Sequence, residues 1–284
     1  MPLKGKKPAA IEKRLKCLFY GAEGVGKTTA GISFPRPYLI DCERGAENSQ
    51  YIKLLEDNGG AILQTADFDE LIVEIKTLLT EPHEYKTLII DPLTIMYNDL
   101  VDKAALRFGT EFGKNYAEAN KHIKYLLSLL TKLDMNIIIT SHSKNEYAGN
   151  MVIIGNTFDC YKKLGYLFDL VLEITERGKE RHAIVKKTRI ETFPKGDSFK
   201  FSYDEVAQRY GREILERDAI AVELATPEQV EEFTMLLDDC EIEKETLDKW
   251  LAKCDAHAIE DMPKSYIQKA INHLNQEKNK RGFI

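Results

Sequence analysis

Through the first 200 residues, short segments that are apolar at consecutive positions alternate with longer ones that are apolar every third or fourth position. Residues 15–20, 38–41, 87–91 and 136–141 are of the first kind and read as strands. Residues 27–33 and 68–79 are of the second kind, the latter through Leu71, Ile72, Ile75, Leu78 and Leu79, and a long helical region follows Asp91 as far as Leu133. Strands that are apolar on both faces and separated by helices predict a parallel sheet covered on both sides. Residues 170–175, 182–186 and 198–202 alternate instead, as antiparallel strands do, and the polar pieces at 177–180 and 194–197 suit hairpin connections.

The pattern changes near Ala225. Thr226, Pro227 and Gln229 have the order of a helix start, with threonine as N-cap, proline at the first position and glutamine reaching back. Three apolar stripes follow: Val230, Phe233, Leu236 and Leu237; then Leu247, Trp250 and Leu251; then Ile267, Ile271 and Leu274. Each stripe needs a partner to bury it, which predicts a compact helical domain over 226–284. The expected division is a basic arm at 1–14, a core at 15–225 and this small C-terminal domain.

Charge follows the same division. The chain of 284 residues carries a net −6, of which residues 226–284 hold −5 from 13 acidic and 8 basic side chains. Six basic residues at 1–16, among them Lys4, Lys6 and Lys7, and eight more at 177–200 are expected to make local positive surfaces within a near-neutral body. A hydrophobic content of 43% argues against a disordered chain, and no apolar run reaches the ~20 residues of a membrane span. The basic start lacks the apolar stretch of a secretory signal. Five cysteines without a CxxC pair indicate reduced thiols rather than a disulfide or zinc framework.

The strongest chemical signal lies between the first strand and the first helix. Gly21, Ala22, Glu23, Gly24, Val25, Gly26, Lys27 and Thr28 fit GxxxxGK[ST], with Thr29 next in the helix. Glycines let successive backbone N–H groups turn inward around phosphates, and the helix N-terminus adds partial positive charge. Lys27 is expected on the β- and γ-phosphates of ATP and Thr28 on Mg²⁺. Asp91, closing a buried strand, is the expected second metal ligand. Pro92 follows it, so no adjacent glutamate can orient the attacking water. Glu43, just past the strand at 38–41, is the candidate base, with Asp41 and Glu47 as competitors. His142, at the end of the strand at 136–141, is the candidate γ-phosphate sensor.

This order of parts resembles the RecA-like recombination ATPases, over roughly residues 14–205. Residues 38–43 are similar to the second strand of that family, which ends in the catalytic glutamate. Asp91 matches its Walker B aspartate, and His142 stands where the family commonly has a glutamine. Within the group the likeness is nearest to compact phage ATPases of single-strand annealing. The resemblance implies a RecA-like P-loop NTPase core: a mostly parallel central sheet with antiparallel strands at one side and helices on both faces. It also implies single-stranded DNA as partner, self-assembly into a filament or ring, and a cytoplasmic setting, the host cytoplasm if phage-encoded. A single-strand-binding protein is the expected partner of the C-terminal domain.

Two DNA-binding loops are implied as well, after the third and fourth predicted strands. Arg107, Lys114 and Tyr116 mark the first, and Lys144 and Tyr147 the second, which extends to Asn156. Lys186, Lys187 and Arg189 are the candidate cations for a neighbouring subunit's γ-phosphate, with a DNA-backbone patch as the alternative. Two other classes stay open, a phosphotransferase kinase and a nucleotide-gated scaffold.

Overall fold

The computed structural model describes residues 12–148 and 152–281. The expected basic arm, with Lys4, Lys6 and Lys7, lies outside them apart from its last three residues. The described chain forms two compact units. The first takes residues up to 71 with 84–119 and 134–219; the second takes 72–83, 120–133 and 220–284.

The first unit is built on a nine-stranded sheet. Its strands are β1 (Lys16–Gly21), β2 (Pro37–Asp41), β3 (Ala61–Gln64), β4 (Thr87–Asp91), β5 (Asn136–Ala148), β6 (Val152–Phe158), β7 (Leu170–Arg177), β8 (Glu180–Thr188) and β9 (Ser198–Lys200). The order is β3-β2-β4-β5-β1-β7-β8-β9, with β6 paired to β5 alone. Parallel pairing runs from β3 through β7, and β8 and β9 close that side antiparallel. The fold is therefore the mixed α/β architecture that the apolar runs predict.

Three local readings need correction. Strand β3 is absent from the sequence expectation because four edge residues carry too little pattern. Strand β7 pairs parallel with β1 as well as antiparallel with β8, and Leu170, Val171 and Leu172 are all buried. Strand β5 does not stop at Ser141 but runs on to Ala148, where its residues become exposed.

Alternation along β1 explains the layers. Cys17 and Phe19 face a cluster that α1 (Lys27–Ile32) joins through Ala30 and Ile32, and α7 (Tyr203–Tyr210) through Val206 and Ala207. On the other face α4 (Leu93–Phe108) packs against β5.

The register carries the functional consequence. Asp41 stands beside Asp91 in the β2/β4 pair, and Gly21 beside His142 in the β1/β5 pair. Four chain segments far apart in sequence thus end together at one carboxyl edge of the sheet, where parallel α/β folds place ligands.

The second unit gathers α9 (Pro227–Asp239), α10 (Lys244–Lys253) and α11 (Lys264–Arg281) around Phe233, Leu236, Met262, Ile267, Ile271 and Leu274. Thr226 and Gln229 form the reciprocal capping box that opens α9. The later parts of α3 (Phe68–Thr80) and α5 (Lys114–Lys132) belong to this unit too. They bring Lys76 to 2.8 Å from the carboxylate of Asp261, which is 1% exposed and also accepts from the Tyr125 hydroxyl at 3.0 Å. No helix among the described residues is long and apolar enough to cross a membrane.

Candidate functional site

A cavity of about 210 Å³ lies at the carboxyl edge of the sheet, lined by Gly24, Gly26, Lys27, Thr28, Glu43, Asp91 and His142 together with Glu23, Asp41 and Tyr51. Two of the loop's glycines answer specific needs. Gly26 caps α1 with φ 81°, in the left-handed region, and a Cβ on Gly21 would sit 2.3 Å from the Ile174 carbonyl oxygen. Lys27 folds back over the loop, donating to the carbonyls of Gly21 at 3.1 Å and Ala22 at 2.8 Å. Burial lowers the pKa of its amine, against the opposing pull of Asp91, Glu43 and Glu23.

Asp91 is 8% exposed at the end of β4. Burial raises its pKa, while hydrogen bonds from the Thr140 and Thr28 hydroxyls act the other way. The contact between Thr28 and Asp91 is the fit test for magnesium: one hydroxyl and one carboxylate meet at the loop that would hold the phosphates. That donor set suits Mg²⁺, which takes one or two protein oxygens and completes its shell with phosphates and water. Thr28 and Asp91 would hold the ion, whose charge would neutralise that of the phosphate oxygens.

The three acids after β2 separate by geometry. Asp41 is 3% exposed, and its carboxylate accepts from the backbone N–H groups of Glu43, Gly45 and Ala46 at 3.2, 3.2 and 2.9 Å. It therefore shapes the turn. Glu47 is exposed and does not line the cavity. Glu43 does line it, and its Oε1 lies 2.8 Å from Nε2 of His142.

His142 is held from behind by buried hydroxyls. Its backbone N–H donates to Thr94 Oγ1 at 3.0 Å, and Thr94 in turn meets Ser141 Oγ at 3.0 Å and donates to the Asp159 carbonyl at 2.9 Å. The Ser141 hydroxyl also accepts from the Asp159 N–H at 3.1 Å. The start of α4 thereby sets the end of the visible core strand, and with it the imidazole.

One residue at the loop has no sequence signal. Arg181 on β8 shares the face of Ala183 and Val185, which is the face covered by α1. Its Nε donates to the Val25 carbonyl at 3.3 Å, and its Nη2 lies 2.3 Å from where a Cβ on Gly26 would be. Only the β7/β8 pairing could have revealed it, since 155 residues separate Arg181 from Gly26.

The remaining candidates lie away from this cavity. Arg107 is in the last turn of α4 and stacks on Phe108 at 5.1 Å; Lys114 and Tyr116 open α5. Their segment is therefore a helix end, a short 3₁₀ turn at Glu111–Gly113 and a helix start rather than an open loop. Phe112 and Leu106 are 99% and 91% exposed there. The second expected loop is also regular. Lys144 and Tyr147 belong to β5, which pairs with β6 in a hairpin, and residues 149–151 of that candidate lie outside the described chain. Lys144 pairs with Asp159 at 2.9 Å, and Tyr147 is exposed. Lys186, Lys187 and Arg189 are engaged within their own chain, with Glu173, the Phe168 carbonyl and the Tyr166 carbonyl respectively.

Among solved structures the chain is similar to the RadB recombinase, at 18% identity and a TM-score of 0.46 over 74% of this chain and 91% of that one. No curated protein matches it. A family model described as an AAA domain, AAA_24, matches residues 13–209. With that match over most of its length and the phosphate loop at the carboxyl edge of a mostly parallel sheet, the chain belongs to this AAA-domain family.

Proposed function

We propose that the protein binds and hydrolyses Mg²⁺-ATP while assembled on single-stranded DNA, and that it promotes annealing or strand exchange. The observation that carries the hydrolytic part is the convergence of Lys27, Thr28, Asp91, Glu43 and His142 on one cavity. Lys27 and the loop amides hold the phosphate tail, and Thr28 and Asp91 the metal. Glu43 accepts a proton from the water that attacks in line with the γ-phosphate, and His142 reads the γ-phosphate and hands its state to the hairpin that β5 continues into. Exposed aromatics at Phe112, Tyr116 and Tyr147, near Arg107, Lys114 and Lys144, support contact with unpaired bases.

The deciding experiment is steady-state ATP hydrolysis with and without single-stranded DNA, alongside annealing of complementary oligonucleotides. The expected result is turnover that rises with single strands and annealing that needs the protein. Phosphate transfer to an added nucleotide or hydroxyl acceptor instead of water would make it a kinase, and turnover indifferent to DNA would remove the recombination reading.

A further inference from the structure

A second concavity, of about 420 Å³, shares no residue with the nucleotide cavity. Tyr20 contributes to it, and alternation along β1 puts Tyr20 on the sheet face opposite Phe19 and hence opposite α1. Its cations are Lys162, Lys186, Lys187 and Lys195, which come from three separate segments, against Glu146 as the one acid among the lining residues.

The backbone has a specific device for this. Consecutive strand residues normally point to opposite faces, so Lys186 and Lys187 could not share a groove in a regular β8. The ladder, however, pairs Val185 with Leu172 and Lys187 with Val171, leaving Lys186 as an extra residue in a β-bulge. The bulge re-aims the strand so that both residues line the same concavity. Lys186 is ion-paired with Glu173 at 3.0 Å, and burial lowers the pKa of Lys187. Lys162 and Lys195 are exposed and have no ion-pair partner among the described residues.

Aromatic rings complete the lining. Phe158 meets Tyr20 edge-on at 6.3 Å, and Gly165 lies close above it, where a Cβ would come within 3.2 Å of the Phe158 ring. Tyr166 is 72% exposed at the rim while its carbonyl is fixed by Arg189 Nη2 at 2.6 Å. An anchored backbone with an open ring face is a stacking platform. Cations beside such a platform fit a polyanion whose bases are unpaired, since a duplex offers phosphates but no free base face.

We propose that this groove binds single-stranded DNA, its lysines on successive phosphates and Tyr166 stacked on a base. The proposal rests on the single-strand reading above and assigns Lys186 and Lys187 to the strand within their own subunit. The test uses the full chain and a fluorescent oligo(dT), with anisotropy followed across a salt series. Removing two phosphate contacts by Lys162→Ala with Lys195→Ala should shrink the log–log salt slope by about 1.4, at ~0.7 per phosphate for single strands. Tyr166→Ala should weaken binding about ten-fold or more, and Tyr166→Phe should restore it. Oligo(dT) bound by the wild type with the same slope and affinity in these variants overturns the groove and leaves the single-strand reading standing. A wild type that binds no oligo(dT) overturns both. Binding of dTMP or inorganic phosphate as tight as that of oligo(dT), and lost with Lys162 and Lys195, overturns the strand assignment in favour of a mononucleotide site.

Discussion

Glu43 Oε1 and His142 Nε2 lie 2.8 Å apart, joining the turn after β2 to the end of the core portion of β5 across the intervening β4. In the proposed hydrolysis Oε1 would exchange the imidazole for the attacking water, so the contact is expected to loosen when the γ-phosphate arrives. Glu43→Gln should leave ATP affinity within a few-fold while turnover falls ~10²-fold or more, as for a lost general base. His142→Ala should lower DNA-stimulated turnover more than basal turnover. Single-turnover hydrolysis with and without oligonucleotide measures both, and a Glu43→Gln enzyme at full speed would remove the base from Glu43.

Lys27 donates to two carbonyls of its own loop, and the acids that act on it surround the nucleotide cavity. Lys27→Ala should therefore melt at the wild-type temperature, yet gain nothing from ATP. A thermal-shift titration separates the two effects, because a ligand that binds the native state raises the midpoint by an amount that grows with the logarithm of 1 + [L]/Kd.

Gly26 and Arg181 form a second testable couple. Gly26→Ala puts a methyl group into the guanidinium at a positive φ, with a local cost of roughly 1–3 kcal/mol from backbone strain alone. Adding Arg181→Ala should relieve the steric part and leave the strain. The double variant should then bind ATP better than Gly26→Ala by itself, and a double-mutant cycle on ATP affinity reads the coupling. Strict additivity would mean that the arginine does not brace the loop.

Asp91 has a pH signature whose sign follows from its burial. A carboxyl whose folded pKa lies above its ordinary 3.8 binds more protons in the folded than in the unfolded state across that interval. Stability of the nucleotide-free protein should therefore fall as pH rises from about 4 through the raised value, and Asp91→Asn should abolish this component. At neutral pH the variant should be at least as stable as the wild type without nucleotide, while losing the Mg²⁺ dependence of ATP binding. Urea melts over a pH series, with and without Mg²⁺-ATP, test both halves.

Asp261, 1% exposed and paired with Lys76, should be the most sensitive polar position of the helical unit. Removing one member of a buried pair leaves the other uncompensated, so Asp261→Ala should cost about 3 kcal/mol, the low end for such pairs because Lys76 keeps some solvent contact. Trp250, the chain's one tryptophan, lies 5.9 Å from Phe233 inside that unit, and its fluorescence reports the loss directly.

Much of the fold could be read along the chain because it follows from local rules. Consecutive apolar residues in β1, β2, β4 and β5 suit strands buried on both faces. The glycines before Lys27 stand between an apolar run and a helix start, the setting of a phosphate loop, and Thr226 with Gln229 caps a helix using four adjacent residues. Short or ambiguous elements were not legible: β3 has four residues, and β5 turns from buried to exposed without any break in its ladder. Only the tertiary structure decided which distant groups meet. The register of parallel strands sets Gly21 beside His142 and Asp41 beside Asp91; β8 carries Arg181 under Gly26; a single bulge turns Lys186 and Lys187 to one side. Each of these depends on strand order and pairing offset, where a shift of one residue reverses every side chain, and no pattern local to either partner encodes it.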